Sequence, residues 1–204
     1  MTPPSEQPAS EISASPVSPV IVFAAGGALE TAFLPYRLFH LQQDLGVRAR
    51  VALSPRARDF VSVLALEALT GSSVYGAGAE LDHEHVPLHV AWCEPTVLVL
   101  APATPRILVE CAQGSITCPV TRLFAFTDKA RVVVAPALHP RLDARIYRPH
   151  VATLRELGCA VVGGDDLFAS FADVKAELAR RLGVRATSTA APLDVVQVGR
   201  PRGA

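Results

Sequence analysis

The chain has 204 residues, half of them hydrophobic and few aromatic, and its nineteen acidic and nineteen basic side chains cancel to zero net charge. That length fits one domain with a buried core, and the lack of a basic excess argues against nucleic acid as a partner. No apolar run reaches the ~18 residues of a membrane span, and the first residues lack the basic and apolar regions of a secretory signal, so a cytoplasmic protein is expected.

Residues 1–18, MTPPSEQPASEISASPVS, are rich in Pro, Ser and Glu without an apolar period and read as a disordered tail. One domain is expected over 19–185. Residues 20–24 read as a short buried strand ending at Gly26-Gly27. A helical pattern over 29–45 stops at Gly46, with Pro35 in a first turn or at a kink. Residues 47–53 alternate apolar side chains with Arg and read as a strand before Ser54-Pro55. Residues 60–69 have helical spacing and stop at Gly71. Continuous β runs occupy 97–100 and 132–135. Helices are expected over 106–113 and 149–157, stopped by Gly114 and Gly158, with a strand at 160–162. The clearest helix spans 166–182. Leu167, Phe171, Val174, Leu178 and Leu182 share its face, Asp165 or Asp166 caps it, and Gly183 stops it. Residues 186–204 read as a loose tail, in which LDVVQV fits a short edge strand or a partner-binding segment.

This alternation predicts an α/β fold: a Rossmann-like doubly wound parallel sheet in a three-layer αβα arrangement. Such sheets bind ligands at the carboxyl ends of their strands, near a topological switch point. Two strands end there in the same way, VLVLAPATP over 97–105 and VVVAPALHP over 132–140. Proline has no N–H and stops the ladder, while the small alanines would let a flat ligand approach the backbone. Strand termination explains one Ala-Pro-Ala; two at equivalent strand ends point to a shared pocket.

Three further stretches bear on chemistry. In AAGGAL, over 24–29, Gly26 and Gly27 open a helix and read either as a tight turn or as backbone N–H groups set against a phosphate or ring. In ALSPRARDF, over 52–60, Ser54 and Arg56 read either as a capping turn or as a phosphate site, since a cation in a first helical turn opposes the dipole unless an anion is present. LDHEHVPLHVAW places His83, His85 and His89 close together, but Pro87 breaks any common face, so no metal is expected. A loop histidine ahead of a central strand suits general acid–base work, and His83 reads as surface. The four cysteines, Cys93, Cys111, Cys118 and Cys159, form no CxxC and read as reduced thiols.

Taken in order, AAGGAL, ALSPRARDF, HVPL, APATPRI, APALHPRLD and HVATLRELG resemble the motifs of the homo-oligomeric flavin-containing cysteine decarboxylases over residues 20–160. That group includes peptidyl-cysteine decarboxylases, phosphopantothenoylcysteine decarboxylases and, more distantly, flavin prenyltransferases. The resemblance implies FMN as cofactor, a homotrimer or dodecamer with the flavin near a subunit interface, and oxidative decarboxylation of a C-terminal cysteine on a ribosomally made precursor peptide. It places Gly26, Gly27 and Ala28, then Ser54, Arg56 and Phe60, then Pro102, Ala103 and Thr104 around the FMN. It makes His85 the acid–base residue, with His89 as its rival, and sets His139, Arg106 and Leu142 against the substrate, His139 also counting as catalytic.

The chain departs from the group's motifs where asparagines stand, for it contains none. Arg106 replaces the first, Thr117-Cys118 an Asp-Asn pair, His139 the asparagine of the Pro-x-Met-Asn motif, and Asp143 its tryptophan. A reshaped site is one outcome; an FMN-binding scaffold or regulatory subunit of altered activity is the other. The Ala-Cys-Gly cysteine with which phosphopantothenoylcysteine decarboxylases reduce their enethiol is absent, which favours release of the enethiol unreduced. A decarboxylase of a small cysteine conjugate remains the third reading.

Overall fold

The computed structural model describes residues 18–184; of the tails expected at 1–18 and 186–204, residues 1–17 and all of 186–204, LDVVQV among them, lie outside the described residues. Five strands, β1 (Val20–Ala25), β2 (Arg48–Leu53), β3 (Val97–Ala103), β4 (Val132–Pro136) and β5 (Ala160–Val161), form one parallel sheet in the order β2-β1-β3-β4-β5. Seven helices flank it among the described residues: α1 (Leu34–Leu45), α2 (Val63–Thr70), α3 (Leu88–Ala91), α4 (Pro105–Ala112), α5 (Pro119–Phe126), α6 (Ala144–Glu156) and α7 (Phe171–Leu182). The strands carry near-continuous apolar runs because both faces are covered. Leu38, Leu41, Leu66, Val174 and Leu178 pack on one face with Ile21, Phe23 and Val99. Ile107, Leu108, Val120, Leu123, Val151 and Leu154 pack on the other with Val22, Leu98 and Val134. The expected three-layer, doubly wound fold is therefore present. The direction of strand addition reverses between β1 and β3, so the switch point lies at the carboxyl ends of those strands.

Several element ends differ from expectation. The first helix splits: Leu29–Phe33 is a 3-10 turn, and α1 starts at Leu34 with Pro35 in its first turn, where the missing N–H is harmless. Phe60 is outside α2, which Ser62 caps through its hydroxyl. Helix α5 escapes the sequence reading because Cys118, an uncommon cap, begins it; the Thr121 hydroxyl accepts from the Cys118 N–H. Helix α6 starts at Ala144, capped by Asp143, and continues through Pro149. Helix α7 starts at Phe171 rather than near 166, because Ser170 and Asp173 form a reciprocal capping box. Leu167 therefore leaves the predicted α7 face: it sits in the preceding loop at a φ of 56° and enters the opposite core. The partly buried pair Lys175–Asp44, 2.5 Å apart, fastens α7 to α1.

Candidate active site

Four loops meet at the carboxyl edge of the sheet, held together by backbone hydrogen bonds. The Gly26 N–H donates to the Pro102 carbonyl at 2.9 Å, the Ser54 N–H to Ala25 at 3.0 Å, and the Ala137 N–H to Ala103 at 3.0 Å. The buried Thr31 hydroxyl donates to the Gly26 carbonyl at 2.6 Å. A methyl group at Gly26 would lie 2.8 Å from the Pro102 oxygen, and one at Gly27 2.6 Å from the Arg56 Cβ. Both glycines are thus required by approach of the loops to each other, whatever else binds there.

The same loops leave donors available. Among the described residues, the Gly27 and Ala28 N–H groups have no acceptor, and the Thr104 hydroxyl makes no hydrogen bond. Ser54 is 7 % exposed and accepts from the Ala57 N–H at 3.3 Å, which leaves its own proton to donate. Backbone N–H groups and hydroxyls converging at a strand–helix turn form a donor set suited to a phosphate. Ser54 does not cap α2, which Ser62 caps; its bond to the Ala57 N–H lies at the start of a 3-10 turn, Ala57–Asp59, whose N-cap position is Arg56. The Arg56 side chain is 85 % exposed and pairs with Asp59 at 3.2 Å, a weak surface contact. Phe60 is exposed beside it.

The two Ala-Pro-Ala ends meet as well. Ala101, Pro102, Ala135 and Ala137 line one cavity of about 30 Å³, closed by Phe23, Leu34, Phe171 and Val174, with Glu30 and Arg37 among the polar lining. The Ala101–Pro102 bond is cis. Ala103, by contrast, is buried in the opposite core.

A match to the flavoprotein family model extends over residues 10–182. The chain belongs to the flavoprotein family. Its expected cofactor, FMN, is borne out at the level of the family, and the donor set above fits a flavin phosphate. The flavoprotein is 25% identical over 160 residues to the coenzyme A biosynthesis bifunctional protein CoaBC of Haemophilus influenzae, covering 76% of this chain and 38% of that one. It spans little more than a third of such bifunctional relatives. It is also 27% identical over 141 residues to a probable phosphopantothenoylcysteine decarboxylase of Streptococcus mutans, covering 68% and 78% of the two chains. Among solved structures it resembles the FMN-dependent cysteine decarboxylase TvaF from thioviridamide biosynthesis, with a TM-score of 0.66 and 25% identity, covering 81% of this chain and 98% of TvaF. The FMN-binding protein AtHal3 shares the fold, with a TM-score of 0.69 at 18% identity over 83% of this chain and all of AtHal3.

The remaining expected residues of this flavoprotein are held less firmly. His85 is exposed on a turn at a φ of 62°, fixed by its own N–H donating to the Asp82 carbonyl at 3.1 Å, and Asp82 Oδ1 accepts from Glu84 and Val86. His89 differs: its ring stacks on Tyr75 and meets Phe126 edge-on. Burial, and secondarily Arg122, lowers its pKa. Those contacts are those of a packing residue, whereas the His85 ring is exposed. His139 is exposed just past β4, and its Nδ1 accepts from the Arg141 N–H at 3.2 Å, which assigns the neutral ring's proton to Nε2. Leu142 is exposed in the same loop. Arg106 is not an isolated cation: its Nε donates to Glu110 Oε1 at 2.6 Å, and that hydrogen bond raises its pKa. No hydrogen bond joins His85, His139 or Arg106 to the glycine loops among the described residues. Thr31 and Glu110 went unnoticed in the sequence, although an Arg and a Glu four apart on a helix is a readable pairing signal. No helix among the described residues is long and apolar enough to cross a membrane, and none of them form a metal-holding cluster.

Proposed function

We propose that the protein is an FMN-dependent decarboxylase that acts on the C-terminal cysteine of a ribosomally made precursor peptide and releases an aminoenethiol, the precursor of an aminovinyl-cysteine group. The reaction removes carbon dioxide and two hydrogens from the cysteine. FMN, when bound, takes up the two electrons of the side-chain oxidation. Gly27, Ala28, Ser54 and Thr104 supply hydrogen bonds to its phosphate, with Gly26, Arg56, Phe60, Pro102 and Ala103 shaping the walls. His85 moves the proton of the reacting cysteine. His139 donates from Nε2 to the substrate carboxylate, Arg106 approaches the same group, and Leu142 covers it. Further copies of the chain complete a trimeric or dodecameric assembly, with the flavin near a subunit interface.

The observation that carries this reading is the placement of the thiols. Reducing the enethiol would take the two electrons back from the flavin and a proton from an accessible acid such as a cysteine thiol. Cys111, Cys118 and Cys159 are buried, and Cys93 lies just ahead of the amino end of β3. Burial pushes the Cys159 thiol up to about 11, and the Cys111 thiol higher still, so neither is a ready proton source or nucleophile. An unreduced enethiol is the product that such a site can release.

The test is mass spectrometry of a Cys-terminated peptide incubated with the purified yellow protein. Loss of carbon dioxide together with two hydrogens supports the proposal. Loss of carbon dioxide alone, or no change in the peptide, overturns it. The same assay on 4′-phosphopantothenoylcysteine addresses the second reading, favoured by the similarity to the CoaBC proteins.

A further inference from the structure

Helix α4 and the loop before α5 are cross-linked at the carboxyl edge of the sheet by one carboxylate. Glu110 Oε1 accepts from Arg106 Nε at 2.6 Å, and Glu110 Oε2 accepts from the Thr117 hydroxyl at 2.7 Å. The Glu110 side chain is 14 % exposed, whereas Arg106 is 70 % exposed. Among the described residues, the two terminal nitrogens of Arg106 have no hydrogen-bond partner. The guanidinium is therefore gripped at Nε by a largely buried anion whose other oxygen is fixed by Thr117, and it presents its far end to solvent.

We infer that Glu110 is a positioning residue that also tempers Arg106; the inference rests on the proposed pairing of Arg106 with the substrate's carboxylate. The chemistry explains why tempering matters. A carboxylate that leaves as carbon dioxide surrenders its charge on the way to the transition state. A full, unshared cation beside it stabilises the bound acid more than the transition state, which tightens binding and slows the step. An arginine whose charge is partly answered by Glu110 recognises the acid and still lets it go. Arg106 needs this restraint because its always-charged fork binds carboxylates strongly. The site takes a free α-carboxylate, and a C-terminal amide is excluded from its benefit.

Glu110→Gln separates the two roles, since glutamine keeps an acceptor for Arg106 Nε and a donor for the Thr117 oxygen while removing the charge. The flavin-loaded protein is titrated calorimetrically with a heptapeptide ending in serine, as free acid and as amide, so that binding is read without turnover. Glu110→Gln is expected to tighten the acid by about two- to tenfold and leave the amide unchanged. With the cysteine peptide, kcat falls while KM also falls. Arg106→Gln weakens the acid by about ten- to a hundredfold, and adding Glu110→Gln to it changes nothing further. Weaker binding of acid and amide alike in Glu110→Gln assigns Glu110 a structural role only and overturns the inference. So does an undiminished acid preference in Arg106→Gln. If the acid preference behaves as expected but no cysteine substrate changes mass, the proposed function fails and the recognition of a carboxylate by Arg106 and Glu110 stands.

Discussion

The glycine loops and the loops that carry His85 and His139 are built differently. Around Gly26, Gly27, Ser54 and Pro102, backbone hydrogen bonds lace one loop to the next, and the walls are buried. Around His85 and His139, the side chains are exposed: His85 sits on a turn closed by its own hydrogen bonds, and the His139 ring accepts from the Arg141 N–H, one residue beyond the Ala137 and Leu138 N–H groups that anchor its loop to Ala103 and Leu167. A resident cofactor rewards a cradle assembled during folding, because little ordering remains to be met at binding. A substrate that must enter and leave is better met by side chains standing in solvent. Under the proposed function, the difference separates a half of the site that holds from a half that reacts, and each half can be broken separately.

The largest expected effect lies in the reacting half. His85→Gln should lower turnover of a Cys-terminated peptide by about a hundred- to ten-thousandfold, the usual worth of a general acid–base group, with flavin content and melting temperature unchanged. Equal turnover in the variant would remove His85 from the chemistry. His139→Ala follows, with a loss of about ten- to a hundredfold, equivalent to a hydrogen bond to a charged group of about 1.5 to 3 kcal/mol. His139→Asn should keep most activity, because its side-chain oxygen can still accept from the Arg141 N–H while its amide donates outward.

The holding half should respond in the opposite currency. Gly27→Ala forces a methyl group to 2.6 Å from the Arg56 Cβ, and overpacking of that kind costs about 1 to 3 kcal/mol. Flavin should be lost on gel filtration and the melting temperature should drop. A variant that keeps both would show that these loops are looser than their hydrogen bonds imply. The smallest effect concerns His89. Its folded-state pKa lies below the unfolded value, so the unfolded chain binds more protons as pH falls through about 6.5 and stability declines. His89→Phe should flatten the dependence of melting temperature on pH between about 7 and 5. An unchanged acid limb would mean that another group sets it.

The fold was legible because parallel strands buried on both faces are written as uninterrupted Val, Leu and Ala, and because glycines close most helices. What escaped depended on which residue wins a local competition. Asp165 and Asp166 look like caps for α7, but Ser170 with Asp173 offers two reciprocal bonds where either aspartate offers one. Pro149 looks like a helix start, yet the Asp143 cap begins α6 a turn earlier. In the candidate site, the glycines and Ser54 were visible as motif. Their physical reason, the clash with Arg56 and Pro102, is contact between segments far apart in sequence and cannot be read from either alone. His85 and His89 carry similar sequence signals, and only the packing of His89 between Tyr75 and Phe126 tells them apart.

The strand order also sets a timetable. β1 finds β2 early, since Val20 pairs with Arg48 across a single helix. Its other edge waits for β3, where Ile21 pairs with Val97, so this interior strand of the sheet stays half open until a long stretch of chain has been made. During synthesis at about 5 to 20 residues per second, that interval lasts seconds, with an apolar strand edge exposed. Nascent chains halted between the emergence of β2 and that of β3 should be the ones that chaperones hold most tightly, and release should coincide with the arrival of VLVLAPA.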